Sequence, residues 1–366
     1  MDELEKLNAL RLISTRNIGP ITYSLLIARY GSATAAIDKA PQLASRQGSH
    51  LKLASSAMAK ATIESAGAAG ARLLIKGEAD YPDRLMHFDD APVALYAKGH
   101  LSLLKRDQIA IVGARNASPN AMVMTRGWAH ELGKEGYVIL SGLAKGIDRS
   151  AHIGGLEAGT VGVIGCGIDI IYPEENADLY DKMTQSGLII TEFAPGIKPS
   201  PRNFPARNRI IASLAKAAII IEAAIHSGSL ITAKEAAERG AEIMAVPGSP
   251  SDARAFGTNQ LIRDGAHLVT SPADVLAILR STLSEPERIT PSFLLEPMTN
   301  IKDDDIKRLA DEIMKILTFE ATDIDELTRQ CHVSAKVIQI ALLELELAGH
   351  IQRLSGNRIC KLLNYE

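Results

Sequence analysis

The chain has 366 residues, 46% hydrophobic and 23% charged, with 40 Lys and Arg against 43 Asp and Glu. That is an ordinary globular composition with core enough for two or three domains. Cys166, Cys331 and Cys360 form no CxxC pair, which argues against a zinc knuckle or a disulfide framework and for a reducing, cytoplasmic compartment. The start MDELEKLNAL lacks a basic and apolar leader, and no apolar run approaches the roughly 20 residues of a spanning helix, so neither export nor membrane insertion is expected. A net charge of −3 does not advertise nucleic acid, and local charge has to decide.

Near the amino end, LNALRLISTRNIGPITYSLLIARYGSATAAI reads as two short helices around the turn Asn17-Ile18-Gly19-Pro20. This resembles a helix-hairpin-helix or SAM-like module, a kind that often touches phosphates through turn amides. The turn lacks the second glycine of a strong hairpin motif, so a helical packing module fits as well. The module is expected over residues 1–70.

From about Gln108 to Ser271 short β-branched runs recur, among them QIAIVGAR, YVILSGLA, AAIIIEA and EIMAVPG. Most are continuously apolar, as strands buried on both faces are. Helical segments alternate with them, the first carrying Ala121, Met124, Trp128 and Leu132 on one face behind Pro119. The pattern predicts an α/β core over 71–280, a doubly wound, mostly parallel Rossmann-like sheet with ligands at the carboxyl ends of its strands.

The loops at those ends are rich in glycine and cations. After the first strand, GARNASPNA offers Gly113 for close backbone approach, Arg115 for charge and Ser118 as a helix cap. After the second, SGLAKGID sets Lys145 between Gly142 and Gly146. Asp148 reads as a cap for the next helix; with His152 four residues on it could in principle serve Ser141, but no hydrolase elbow GxSxG is present. The third loop, GCGIDIIYP, fails the dinucleotide fingerprint because Ile170 stands where the third glycine belongs, and no GxxxxGK[ST] occurs.

Residues 196–216, GIKPSPRNFPARNRIIASLAK, hold Lys198, Arg202, Arg207, Arg209 and Lys216 without one acid. A single strand of nucleic acid presents spaced phosphates and exposed bases, so its binder needs cations along a groove and flat faces for stacking. Arg202, Arg207 and Arg209 can supply the cations, Phe204 a stacking face or a core anchor, and Asn208 a loop or base-edge bond. Two arginines flanking Asn208 on a helix cannot face one point, so one is expected to bind DNA while the other ties the loop to Glu222. Glu222 has two readings, a partner for an arginine or for loop amides, or a general acid/base. Ser227, Gly228 and Ser229 open a further helix able to hold an oxyanion, and VPGSPSDARAFGTNQ adds Asn259 at the sixth strand's end.

Residues 281–305, rich in Pro, Ser, Thr and acids, read as a linker. Residues 306–366 then have a winged-helix pattern: a first helix striped by Ile306, Leu309, Ile313 and Leu317, a second capped at Thr322, and a third running from Ser334 to an exit at Gly349. A two-stranded wing follows around Ser355-Gly356-Asn357. The third helix offers Lys336 and Gln339 against Glu344 and Glu346, which favours packing or protein binding over base reading, while Arg353, Arg358 and Lys361 in the wing could touch phosphate.

Taken in order and spacing, GARNAS, SGLAKGID, NFPARNRII, EAAIHSGSLITA and VPGSPSDARAFGTNQLIRDGA resemble the signature set of the DNA-processing protein A family (DprA, also called Smf). The likeness spans Tyr81 to Ala277, and the two flanking modules fit the family's three-part architecture. The family's first motif usually reads Gly-Ser-Arg; here Ala114 replaces the serine. The resemblance implies a non-enzymatic protein that binds single-stranded DNA through the strand-end residues named above, associates as a homodimer and helps load the RecA recombinase during natural transformation. It implies no catalytic residue, metal or cofactor. A rival class, the LOG-type phosphoribohydrolases, carries a PGGxGTxxE motif; SGSLITAKE stands at the comparable place, with Glu235 but without the glycine pair.

Overall fold

The computed structural model describes residues 1–282, 303–354 and 356–362. The chain opens with four helices, α1 (Glu3–Ile13), α2 (Pro20–Tyr30), α3 (Ala33–Arg46) and α4 (Ser56–Ala68). The core follows: β1 (Arg72–Ile75), α5 (Asp83–Met86), β2 (Ala94–Gly99), β3 (Gln108–Gly113), α6 (Pro119–Lys134), β4 (Val138–Ser141), α7 (Ile147–Gly155), β5 (Thr160–Val163), α8 (Ala177–Ser186) and β6 (Leu188–Thr191). It continues through α9 (Asn203–Leu214), β7 (Ala217–Ile221), α10 (Gly228–Glu238), β8 (Glu242–Ala245), α11 (Phe256–Arg263), β9 (His267–Leu268) and α12 (Pro272–Thr282). The terminal elements are α13 (Asp303–Ile316), β10 (Thr322–Asp323), α14 (Ile324–Gln330), α15 (Ala335–Leu347), β11 (Ile351–Leu354) and β12 (Arg358–Lys361). No helix among the described residues is long and apolar enough to cross a membrane.

The chain divides into two compact units, residues 62–290 and a second unit that joins residues 1–61 to residues 291–366. In the first, nine strands run in the order β1-β2-β6-β5-β4-β3-β7-β8-β9. Strands β3 to β9 pair in parallel, while β1 and β2 add an antiparallel edge that the sequence pattern did not single out. The expected continuous burial holds at β7, whose five residues are all buried. Helices cover both faces: Ile210 and Ile211 of α9 with Ala233 and Ala236 of α10 pack into one core cluster, and Trp128 of α6, Ile147 of α7 and Val275 of α12 into the other. Strands β3 to β6 are laid down in one direction and β7 returns to the far side of β3. That reversal is a topological switch point, and the crevice outside the strand ends beside it is where such sheets bind ligands.

In the second unit the winged helix closes around Ile306, Leu309, Ile313, Leu327, Leu342 and Leu345. Its wing is three-stranded rather than two-stranded, because β10 pairs with β12 at Thr322–Ile359 and Asp323–Arg358. The cap of α14 is Asp323, whose Oδ1 accepts from the amides of Asp325 and Glu326, one residue after the expected Thr322, which is held in the strand. Arg353 is not available to phosphate: its Nε donates to Glu346 (3.0 Å) and its Nη2 to Gln339 (2.8 Å). The expected linker falls mostly outside the described residues.

Candidate nucleic-acid interface

The loops after β3, β4 and β5 and the first turns of α9 enclose a cavity of about 310 Å³. Among the expected site residues, Arg115, Gly142, Lys145, Phe204 and Arg207 all line it. They enter it in different ways. Arg115 is exposed, with its guanidinium carbon 5.3 Å from the centre of the Phe204 ring. Lys145 is half exposed and paired with Glu175, so an incoming phosphate has a carboxylate to displace.

Arg207 forms the floor. It is buried, and its Nη1 donates to Val163 O at 2.6 Å and to Gly142 O. Gly142 has to be glycine here, because a Cβ would overlap the Arg207 guanidinium. Burial lowers the Arg207 pKa, and the neighbouring Asp148 works against that. Asp148 lies inside α7 rather than capping it. Its Oδ2 accepts from the amides of Gly142 (3.1 Å) and Ala144 (3.4 Å) and so shapes the loop that carries Lys145. Burial raises its pKa, opposed by Arg207.

His152 is fully buried. Its Nε2 accepts from the Leu143 amide (3.3 Å), which leaves Nδ1–H to donate to Thr160 Oγ1 (2.7 Å), and burial drives its pKa down to about 3. Ser141 Oγ donates to Ile111 O at 2.6 Å. The three residues that could have formed a nucleophile system are therefore each committed to backbone and neighbours, holding the floor of the cavity in shape.

The remaining predicted residues lie around or away from this cavity. Gly146, at φ 73°, lets the β4–α7 loop press on the β3 loop, with a Cβ there in conflict with Ala114 O. The close approach that Gly113 permits is to Ile221 O of β7. Ser118 caps α6, accepting from the Ala121 amide at 3.1 Å, and donates its own amide (2.8 Å) and hydroxyl (2.6 Å) to Glu222. Glu222 thus takes the loop-amide role, in a left-handed conformation at φ 49°, and the end of α6 already holds an anion from within the chain.

The arginine that ties its segment to an acid is Arg209, and the acid is Glu192 rather than Glu222; Arg209 Nη1 also donates to Asp90 O at 2.7 Å. Arg202 is exposed at the start of α9, and Asn208 is half-buried on it. Ser227 and Ser229 share a hydroxyl contact of 2.8 Å around Gly228 at the start of α10, while Asn259 brackets the backbone of Gly248 from α11. These four residues stand with β7 and β8, outside the cavity lining.

One residue escaped the sequence reading. Tyr172, 42% exposed, also lines the cavity, with its ring 5.9 Å from that of Phe204 at an interplanar angle of 32°. The signal was available in GCGIDIIYP, where an aromatic residue stands before a proline in a strand-end loop.

Three family profiles match in chain order: a DprA-like N-terminal HHH domain over residues 3–65, DNA recombination-mediator protein A over 72–280, and a DprA winged helix domain over 302–357. The chain belongs to the DNA recombination-mediator protein A family. It is 46% identical over 199 residues to the DNA processing protein DprA of Streptococcus pneumoniae, covering 54% of this chain and 70% of that one. To the protein Smf of Escherichia coli it is 35% identical, covering 76% and 74%. Among solved structures it is similar to DprA from S. pneumoniae, with TM-score 0.57 and 40% identity over 61% of this chain and 77% of that one. It is also similar to DprA from Helicobacter pylori, described for its single-stranded DNA binding mode, with TM-score 0.54 and 29% identity over 58% and 98%.

Proposed function

We propose that this family member binds single-stranded DNA in the cavity beside the switch point, protects it, and helps load a RecA-type recombinase during transformation and recombination, acting as a cytoplasmic homodimer and not as an enzyme. The observation that carries the DNA reading is the meeting, in one cavity, of exposed cations with aromatic faces: Arg115 and Lys145 beside the half-buried Phe204 and the exposed Tyr172. Phosphates need the first and unstacked bases the second. A duplex hides its base faces and gains nothing from the aromatic pair. The remaining expected contacts, Arg202, Asn208, Ser227 to Ser229 and Asn259, would extend the track beyond the cavity. Against catalysis, Glu222 is bonded to the cap of α6 and His152 is buried and neutral. The single-stranded ligand named for the H. pylori relative supports the same reading.

The test is fluorescence anisotropy of the intact protein with a labelled oligonucleotide, single-stranded against duplex, over a salt series, with Arg115→Ala alongside. Preference for the single strand is expected, with the variant weaker and its log–log salt slope shallower by about 0.7, the loss of one phosphate contact. Equal affinity and slope in the variant would take Arg115 out of the groove, and free base released from nucleoside monophosphates would restore the phosphoribohydrolase reading. Recombinase loading and dimerisation are read separately, by stimulated RecA filament growth on coated strands and by sedimentation.

A further inference from the structure

Every residue of α15 from Ile340 to Leu347 is buried, and so is Ala348 that caps it. A winged-helix core accounts for one side, through Ile338, Ile340, Ala341, Leu342 and Leu345. Leu343, Glu344, Glu346 and Leu347 lie outside that cluster, and α15 packs against α2 and α3. Two carboxylates are buried there. Glu344, 1% exposed, accepts from Gln47 Nε2 at 3.1 Å and lies 3.5 Å from Arg46 Nη1 and 3.6 Å from Arg29 Nη1. Glu346 accepts from Thr22 Oγ1 at 2.5 Å and from Arg353. His350 Nε2 meets Gln47 O at 2.9 Å, and a Cβ on Gly349 would stand 2.9 Å from Asn17 Nδ2 in the hairpin turn.

The face that receives these carboxylates is cationic and donor-rich. Residues 1–55 carry seven Lys and Arg against four acids, whereas residues 303–362 carry eleven acids against eight Lys and Arg. The fit at Glu344 is incomplete: Arg29 Nη1 is buried with no hydrogen-bond partner, 3.6 Å from the carboxylate, while its guanidinium carbon lies 5.6 Å from the centre of the Tyr30 ring. A planar carboxylate on a helix reaches Gln47 and one guanidinium edge. A backbone phosphodiester carries two anionic oxygens, as a carboxylate does, but on tetrahedral phosphorus, so they can accept from donors that do not share one plane, Arg29 as well as Arg46 and Gln47.

We propose that the face formed by Thr22, Arg29, Arg46 and Gln47 is a second, phosphate-backbone site for nucleic acid, and that Glu344 and Glu346 of the winged helix occupy it in cis as a carboxylate stand-in. The winged helix is then the resident competitor of the amino-terminal module. In the closed unit neither this arginine face nor the third helix of the winged helix is offered to DNA. The acidic, apolar outer face of α15 cannot read a groove itself, so displacement adds binding through the arginines alone.

The experiment uses the full chain in an Arg115→Ala background, so that failure of the cavity reading and of this one are separable, with a labelled duplex as probe because the stacking cavity discriminates against it. Two variants vacate the site: Glu344→Gln removes the charge at constant shape, and Leu347→Asp sets a charge in the apolar contact and parts the faces. Each is expected to raise duplex affinity about tenfold at low salt and to steepen the log–log salt slope by about 1.8, two phosphate contacts. Adding Arg29→Gln and Arg46→Gln should abolish the gain. Unchanged duplex affinity in both variants overturns the proposal, and so does a gain that survives loss of the two arginines.

Discussion

Arg207 separates holding the cavity from filling it. Arg207→Met keeps much of the side-chain volume and removes the guanidinium. Gly142 O and Val163 O then lose a charged donor inside the core, and Asp148 loses the cation that opposes its desolvation. An unpaired buried polar group costs about 1–3 kcal/mol, and a buried charge stripped of its partner about 3–5 kcal/mol; these overlap because both act through one loop, so the loss expected is about 3–5 kcal/mol. The assay is urea unfolding read by Trp128, the chain's one tryptophan, which lies 6% exposed in the sheet unit and so reports that unit. Asp148→Asn beside it completes a double-mutant cycle, and the two changes should couple by about 1 kcal/mol or more, the double variant losing less than the sum. DNA affinity should also fall, through distortion of the Gly142–Lys145 loop, and with it the salt slope should stay near the wild-type value. A stability loss under about 1 kcal/mol with a shallower slope would refute this reasoning and make Arg207 a direct phosphate ligand.

Phe204→Leu should weaken single-strand binding by about 1–3 kcal/mol whatever the sequence, the worth of one stacked base, with Phe204→Tyr close to wild type; equal loss of duplex binding would argue for a core role instead. His152 predicts a pH dependence. Its folded pKa of about 3 lies below the unfolded value near 6.5, so the unfolded chain takes up the proton first; the stability is complete above pH 6.5 and falls by about 1.4 kcal/mol per pH unit as pH drops toward 3. The Trp128 urea midpoint should therefore fall between pH 7 and pH 5 in the wild type and fall less in His152→Gln, and parallel curves would remove His152 as the cause.

Periodicity carried the sheet well because β3 to β7 are buried on both faces, and such strands write themselves as apolar runs such as AAIII of β7. It was silent on β1 and β2, which pair antiparallel at the edge of the sheet, outside the alternation of strand and helix. The relation between the two ends of the chain was not legible at all. Glu344 and Glu346 look like an exposed acidic face of a helix until Arg29 and Arg46 are brought against the first and Thr22 against the second, all from the opposite end of the chain, and no local pattern encodes a contact of that range.

The site was legible in kind and not in arrangement. Glycine with a cation after a strand marks an anion loop whatever the cation's posture, which singles out Arg115 and Lys145, whereas Arg207 came from the acid-free run. Sequence gives an arginine its charge and withholds its exposure: Arg115 stands in solvent over Phe204, Arg207 is sealed beneath Gly142, and Arg209 is spent on Glu192. The acid-free run from 196 to 216 misled for the same reason, since the acids that answer it, Glu192 and Asp148, belong to other segments. A cation is free for a ligand only after every carbonyl and carboxylate within its reach has been counted, and that count exists only in the fold. By that count Arg115 is the cavity's exposed, uncommitted guanidinium, and substituting it should cost the protein its ligand without costing it its structure.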